Sequence, residues 1–252
     1  MIPPAAGQIP EGVGFAAALP RGYSARVRTF VTVLAALAVT PVALGADGEP
    51  KKALTSKGNA TARSIVLKRA DLSSAFTLRA RPDNPLPKGV RCGALDESDL
   101  TITGEAESPD FTLSQPGLFV TIGSTANVYR SLGEAGKSWR RGTSAKTTTC
   151  LADIVRLSAP KSQRVSIVSA KRITFPKVAP QTAAFRVVAE LNISGNRVRA
   201  YVDAIILQHG RVQSGVVFTS LGRPVPQVDE QGLAGLVADR MARANRPKGP
   251  TA

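Results

Sequence analysis

Between Thr182 and Ser220 three β-rich runs follow one another with almost nothing between them: Phe185–Ile193, Val198–Gln208 and Arg211–Thr219. Ser194-Gly195-Asn196 separates the first two and His209-Gly210 the last two. Short, glycine-bearing connections of this kind close hairpins. In the first run Phe185, Val187, Ala189, Leu191 and Ile193 fall on one face, and Arg186, Glu190 and Asn192 on the other. A period of two is what a half-buried strand requires. An antiparallel meander is therefore the expected core, and the other segments must pack on it.

Those segments can be read in turn. Ala60–Lys68 has the composition of a short helix, and Asp71–Phe76 that of a turn. Pro82, Pro85 and Pro87 make residues 79–91 a loop. Leu100–Ala106 and Leu118–Tyr129 read as strands, the second rich in β-formers. Leu132, Ala135 and Trp139 recur at helical spacing in Ser131–Arg141, and Thr147–Leu157 is a second helix closed by Pro160. Val165–Phe175 reads as a strand ended by Pro176. Past Pro224 and Pro226, Asp229–Ala244 is a helix with Asp229 as its expected N-cap. The order predicts an α+β fold: a single antiparallel β-sheet of about six strands with flanking helices. It forms one domain over residues 60–244, with 47–59 as a polar linker and 245–252 as a disordered tail.

The first 46 residues read as an N-terminal extension and a signal peptide. Arg21, Arg26 and Arg28 precede an apolar run that ends in Ala43-Leu44-Gly45-Ala46. A positive start, a short apolar stretch and a small-residue exit are the parts of a secretory signal. The run is about 15 residues, short of the ~20 that span a bilayer. The expected location is secreted or extracytoplasmic, with a membrane anchor through an uncleaved N-terminal segment as the alternative. Residues 1–26 are long and rich in Pro and Gly, which points to a start of translation at Val27.

The formal net charge is +15, and removing residues 1–46 takes away only Arg21, Arg26, Arg28 and Glu11. Such a charge points either to an anionic partner or to basic residues that simply solvate the surface, and their spread along the chain favours the second. Along the sequence the charges look spread, with Trp139-Arg140-Arg141 as the longest local cluster. No basic stripe is interleaved with aromatic residues, so nucleic acid is a poor fit. The expected partners are an anionic small molecule or a cell-wall polymer, with membrane contact only through an uncleaved N-terminal segment.

Cys92 and Cys150 are the two cysteines of the chain. In an exported protein an even count points to a disulfide, here contributing about 4 kcal/mol by chain entropy. A thiol nucleophile would need a base, and the sole histidine, His209, sits in a hairpin turn.

Other motifs fail on spacing. Gly136-Lys137-Ser138 resembles the end of a phosphate-binding loop, but the required earlier glycine is Ser131. Ser214-Gly215 lacks the glycine pair of a nucleophile elbow. Asp96, Glu97, Asp99, Glu105, Glu107 and Asp110 form a local acidic run whose spacing matches no calcium loop. Asn59-Ala60-Thr61 and Asn192-Ile193-Ser194 match a glycosylation sequon by coincidence, since low Lys against high Ala, Arg and Val is a bacterial composition. Trp139, Leu132, Leu151, Phe218 and Tyr201 are expected in the core. No metal site and no cofactor are expected.

The layout of residues 60–244 resembles the exported sensor-like domains of actinobacterial proteins, including the extracytoplasmic part of mycobacterial transmembrane Ser/Thr kinases. Leu67-Lys68-Arg69-Ala70-Asp71-Leu72 precedes a Cys, and a strand ending Asn127-Val128-Tyr129 leads to a helix with Cys150. Arg199-Ala200-Tyr201-Val202-Asp203 then lies on a strand, and a helix ends the chain. The resemblance implies an antiparallel sheet with flanking helices and a ligand cleft. That family usually has two disulfides, where this chain can form one, and no functional residue carries over. The expected function is an exported, non-enzymatic binding or sensor-like module for an anionic or amphipathic ligand. Arg186, Arg199 and Arg211, all strand-borne, are the candidate contacts. The alternative is a cell-envelope interaction protein held by charge to acidic wall polymers.

Overall fold

The structure, a computed structural model, describes residues 48–80, 92, 95–159, 164–193 and 195–246. In chain order the elements are β1 (Lys51–Lys52), α1 (Ser56–Ile65), a 3-10 turn (Arg69–Asp71), β2 (Thr77–Arg79), β3 (Thr101–Glu107), β4 (Asp110–Gln115) and β5 (Leu118–Tyr129). Then come α2 (Leu132–Gly142), α3 (Lys146–Ser158), β6 (Val165–Ile173), β7 (Gln181–Ile193), β8 (Asn196–His209), β9 (Val212–Leu221) and α4 (Gln227–Ala244).

The meander forms as its alternation requires: β7 pairs β8 and β8 pairs β9, all antiparallel. The sheet around it differs from the expected six antiparallel strands. It has nine strands among the described residues, in the order β1-β3-β5-β9-β8-β7-β6, with β4 joining β5 and β2 joining β4. It is mixed, because β1 runs parallel to β3. Two of the extra strands, β1 and β2, are too short to show a period. The third arises at Pro109. Pro109 cannot donate to a ladder, so the run splits into β3 and β4. Ser108 holds the break: its N–H donates to Ser124 O and its Oγ accepts from Ser124 N, each at 2.9 Å. β5 therefore offers its first half to β4 and its second half to β3 along one edge, and β9 takes the other.

The described part of the expected linker 47–59, residues 48–59, is built into the domain. Lys51 and Lys52 are in the sheet, and α1 begins at Ser56 behind a Thr55 cap whose Oγ1 accepts from Gly58 N at 3.0 Å. α1 lies directly on β3, where Gly58 and Gly104 leave room for main chain against main chain. α4 also begins early, with Pro226 in the N-cap position and Asp229 inside the first turn. The expected loop 79–91 falls almost wholly outside the described residues, as do the signal segment and 247–252.

Two cores result. On one face α1 and α4 cover Ile122, Ile205, Leu207, Val216 and Phe218. On the other, α3 covers Phe185, Val187, Ala189, Leu191 and Val202, the apolar side of the alternation in β7. The Cys92–Cys150 disulfide joins α3 to the chain ahead of β3, with the Cα atoms 5.5 Å apart. Arg240 of α4 grips Asp71 with two bonds of 2.6 and 2.7 Å and also donates to Val66 O.

Candidate functional site

The polar side of β7 faces away from α3, and its neighbours on β6 and β8 can be read from the register. Lys171, Arg186 and Asp203 form one row across β6, β7 and β8. Ser169, Val188 and Tyr201 form the next, followed by Ser166, Glu190 and Arg199. Asn192 and Arg197 stand beyond them, with Arg164 leading into β6 on the same side. A bulge at Val168 is the reason Ser166 and Ser169, three apart, share a face. Rows on one face are about 6.7 Å apart and strands ~4.8 Å apart, so the patch is about 20 Å long and ~10 Å wide.

α4 ends this patch at its inner row. Glu230, in the first turn, is completely buried against Asp203 and Arg186, while Val188, Glu190 and Tyr201 are half-exposed and Arg197 and Arg199 exposed. At the outer end a groove of about 370 Å³ is lined by Arg164, Ser166, Glu190, Asn192 and Arg197, with Val165 and Leu191.

The charges on this surface are one-sided. Its strands bring together five cations, Arg164, Lys171, Arg186, Arg197 and Arg199, and two acids, Glu190 and Asp203. Both acids are engaged: Glu190 lies 3.5 Å from Arg197, and Asp203 takes two hydrogen bonds from Arg186, Nε–Oδ1 at 2.5 Å and Nη2–Oδ2 at 2.9 Å. The acidic run lies across the sheet. There Asp99 pairs with Arg141 at 2.5 Å and Glu105 with Lys52 at 3.0 Å. Charges that look spread along the sequence are segregated in space, because hairpins stack residues far apart in the chain onto one face.

The inner row is a buried ionic cluster. Its hydrogen bonds to the Asp203 carboxylate push Arg186 up further, making it a fixed cation. Glu230 has neither carboxyl oxygen hydrogen-bonded among the described residues, and Arg186 Nη2 is 3.7 Å away. Burial first, and the Asp203 carboxylate second, push Glu230 up to about 9. At neutral pH Glu230 is therefore the neutral member of the cluster, and one cation is balanced by one anion.

A second buried cluster binds α2 to the sheet. Tyr129 donates to Glu97 Oε2 at 2.9 Å, Ser138 contacts Glu97 Oε1, and Ser138 lies 2.9 Å from Gln213 Oε1. One Ser138 hydrogen cannot serve both acceptors. A protonated Glu97 would meet this by donating to Ser138, which would donate to Gln213; with the Gln213 amide turned over, Gln213 would donate to Ser138 and Ser138 to the carboxylate. Burial pushes Glu97 up, in agreement with the first arrangement, and pushes Tyr129 well above its usual value. Every polar atom named is then satisfied, which makes the cluster a structural lock.

The three arginines named from sequence separate. Arg186 and Arg199 lie on the patch, four β7 positions apart by register, about 13 Å. Arg211 lies at the other end of β8 and β9, donating to Arg130 O at 3.2 Å. Arg164, Lys171 and Arg197 join the first two, and sequence reading missed them because the signal is cross-strand. Tyr201, expected in the core, is half-exposed on the patch, and Leu132 is 66% exposed, whereas Phe218 and Leu151 are buried as expected. His209 lies in the hairpin turn, where Asn245 donates to its carbonyl at 3.0 Å. Lys137 and Ser138 of the would-be phosphate loop are engaged with Asp99 and the Glu97 cluster. Asn59 uses its side chain to accept from Glu105 N at 3.1 Å.

No family model matches the chain, and no curated protein matches it. Among solved structures it is similar to the extracellular domain of PknH from Mycobacterium tuberculosis. The TM-score is 0.40 and the identity 10%, over 74% of this chain and 96% of that one. This is the kind of domain that the sequence layout resembles. The likeness assigns no ligand or site residue to this chain.

Proposed function

We propose that this protein is an extracytoplasmic, non-enzymatic binding module that takes an anionic ligand on the open face of β6, β7 and β8. The carrying observation is the one-sided charge of that face. Lys171, Arg164, Arg197, Arg199 and Arg186 converge on it, and its two acids are already paired with arginines of the same face. Arg186 spends Nε and Nη2 on Asp203, so it anchors the inner row while Arg199 and Arg164 supply the accessible charge. The signal-like segment ahead of the domain supports export, and no described helix is long and apolar enough to cross a membrane.

The same face also suits the second reading, retention in the cell envelope by acidic wall polymers, because it is open along its length instead of closing into a cleft. Native mass spectrometry on protein recovered from its own host tests both. An adduct on the wild type that is lost in an Arg164→Glu/Arg199→Glu variant and kept in Arg211→Glu supports the binding module. A clean mass, with salt-sensitive retention on isolated walls, supports the envelope reading. A wild-type adduct unaffected by the double reversal sinks the assignment of the face. A mature chain beginning near Ala46 supports export, and one retaining residues 29–46 in membranes supports an anchor.

A further inference from the structure

We infer that the occupant of the β6–β8 face is a linear anionic glycan in which acidic and neutral sugars alternate along the chain. This deepens the reading of that face as an anion-binding surface and rests on it. The shape comes first. The patch is about 20 Å long and half that wide, and its β6 side is the edge of the sheet. An extended chain lying along the strands fills such a surface, while a compact ligand leaves most of it bare.

The order of the rows comes second. Lys171 and Arg186 stand at the inner end and Arg199, Arg164 and Arg197 at the outer end. Between them lies a row without charge: Ser169, Val188 and Tyr201. A polymer with an acid on every unit would hold an anion above that row with no cation beneath it. A polymer with a neutral sugar between acidic ones puts carboxylates at the two cationic ends. There, Lys171 at the inner end and the Arg199 and Arg164 guanidinium groups at the outer end can donate hydrogen bonds to them, Arg186 being held by Asp203. The neutral sugar then lies over Tyr201, whose ring offers an apolar platform and whose hydroxyl offers a polar tip. Ser169, Ser166 and Asn192 can exchange hydrogen bonds with sugar hydroxyls.

The apolar content comes third. Val188 is the one aliphatic side chain in the three rows, and it is half-buried. A lipid surface gains by taking in exposed apolar groups, and beside Val188 the strip offers only Val168 of the bulge, 53% exposed.

Calorimetric titration of the purified protein tests the inference. The probes are hyaluronan oligosaccharides of increasing length, polyphosphate of matched length, and vesicles of phosphatidylglycerol. Affinity for the oligosaccharides is expected to rise until they cover the ~20 Å face and then level off. Tyr201→Ala is expected to weaken them about tenfold while leaving polyphosphate within about twofold, and Tyr201→Phe to keep the platform and most of the affinity. Equal affinity for polyphosphate, with Tyr201→Ala weakening neither, overturns the glycan and leaves the anion-binding face standing. Binding to vesicles alone overturns it in the same way. No binding to any probe, or binding that Arg164→Glu/Arg199→Glu does not weaken, overturns both readings.

Discussion

Gly58 of α1 and Gly104 of β3 are in main-chain contact, and a Cβ on either would overlap backbone atoms around the other. Neither backbone can retreat easily. Thr55 caps α1 through Gly58 N, and Asn59, the next residue, accepts from Glu105 N. Gly58→Ala or Gly104→Ala is therefore expected to lower stability by about 3 kcal/mol or more, by overpacking. Urea unfolding of both variants checks it. A loss under about 1 kcal/mol would mean that α1 can lift off β3 cheaply.

Glu230 gives a pH dependence whose sign is fixed. Its folded-state value is raised from 4.5 to about 9, so the folded state holds a proton that the unfolded state gives up. The resulting stability is fully present below 4.5 and is lost as pH climbs through about 9. Glu97 shifts in the same direction. Glu230→Gln keeps a neutral group in the site and is expected to flatten the decline of stability across that range. Denaturation at several pH values would reveal parallel curves for the two proteins if Glu230 were ionised when folded.

Tyr129→Phe removes one hydroxyl from the lock formed with Glu97 and Ser138. The partners stay buried, so the expected cost is about 1–3 kcal/mol. Glu97→Gln retains a donor and an acceptor and is expected to cost less. If Glu97→Gln proves the more damaging of the two at pH 7, the carboxyl is charged and the second of the two proton arrangements holds.

The Cys92–Cys150 bond closes a long loop through β3, β4, β5 and α2. Its removal by paired Cys→Ser substitution is expected to cost about 4 kcal/mol. Native protein should resist thiol alkylation and gain two mass units on reduction. Free thiols in material from an oxidising compartment would contradict the bond.

The meander was legible because each of its strands is long enough to show a period of two and is bounded by glycine-bearing turns. β5 was legible from its β-forming residues, and α2 and α3 from apolar residues at helical spacing. β1 and β2 were not, because two or three residues carry no period, and no local pattern announces that Lys51 and Lys52 run parallel to Thr101 and Ile102. The candidate face was half legible. Arg186, Glu190 and Asn192 declare one side of β7, yet its character depends on Lys171, Arg197 and Arg199, set beside them by two hairpins and a bulge. Tyr201 looked like core because an aromatic on a strand usually is. Its exposure follows from where α4 starts, at the level of Asp203, which no local pattern discloses.

The two-way pairing of β5 also sets an order of assembly. In a chain that emerges from its N-terminus, β3, β4 and β5 appear together and can pair, and Cys92 can meet Cys150 as soon as α3 follows. The other edge of β5 must wait for β9, which pairs with it from Phe119↔Leu221 to Val128↔Val212. Until that distant segment arrives, a twelve-residue strand with every residue destined for burial keeps one edge open. The half-made protein is thus a sticky template, and the last hairpin, β8 to β9, is the closure that ends its exposure.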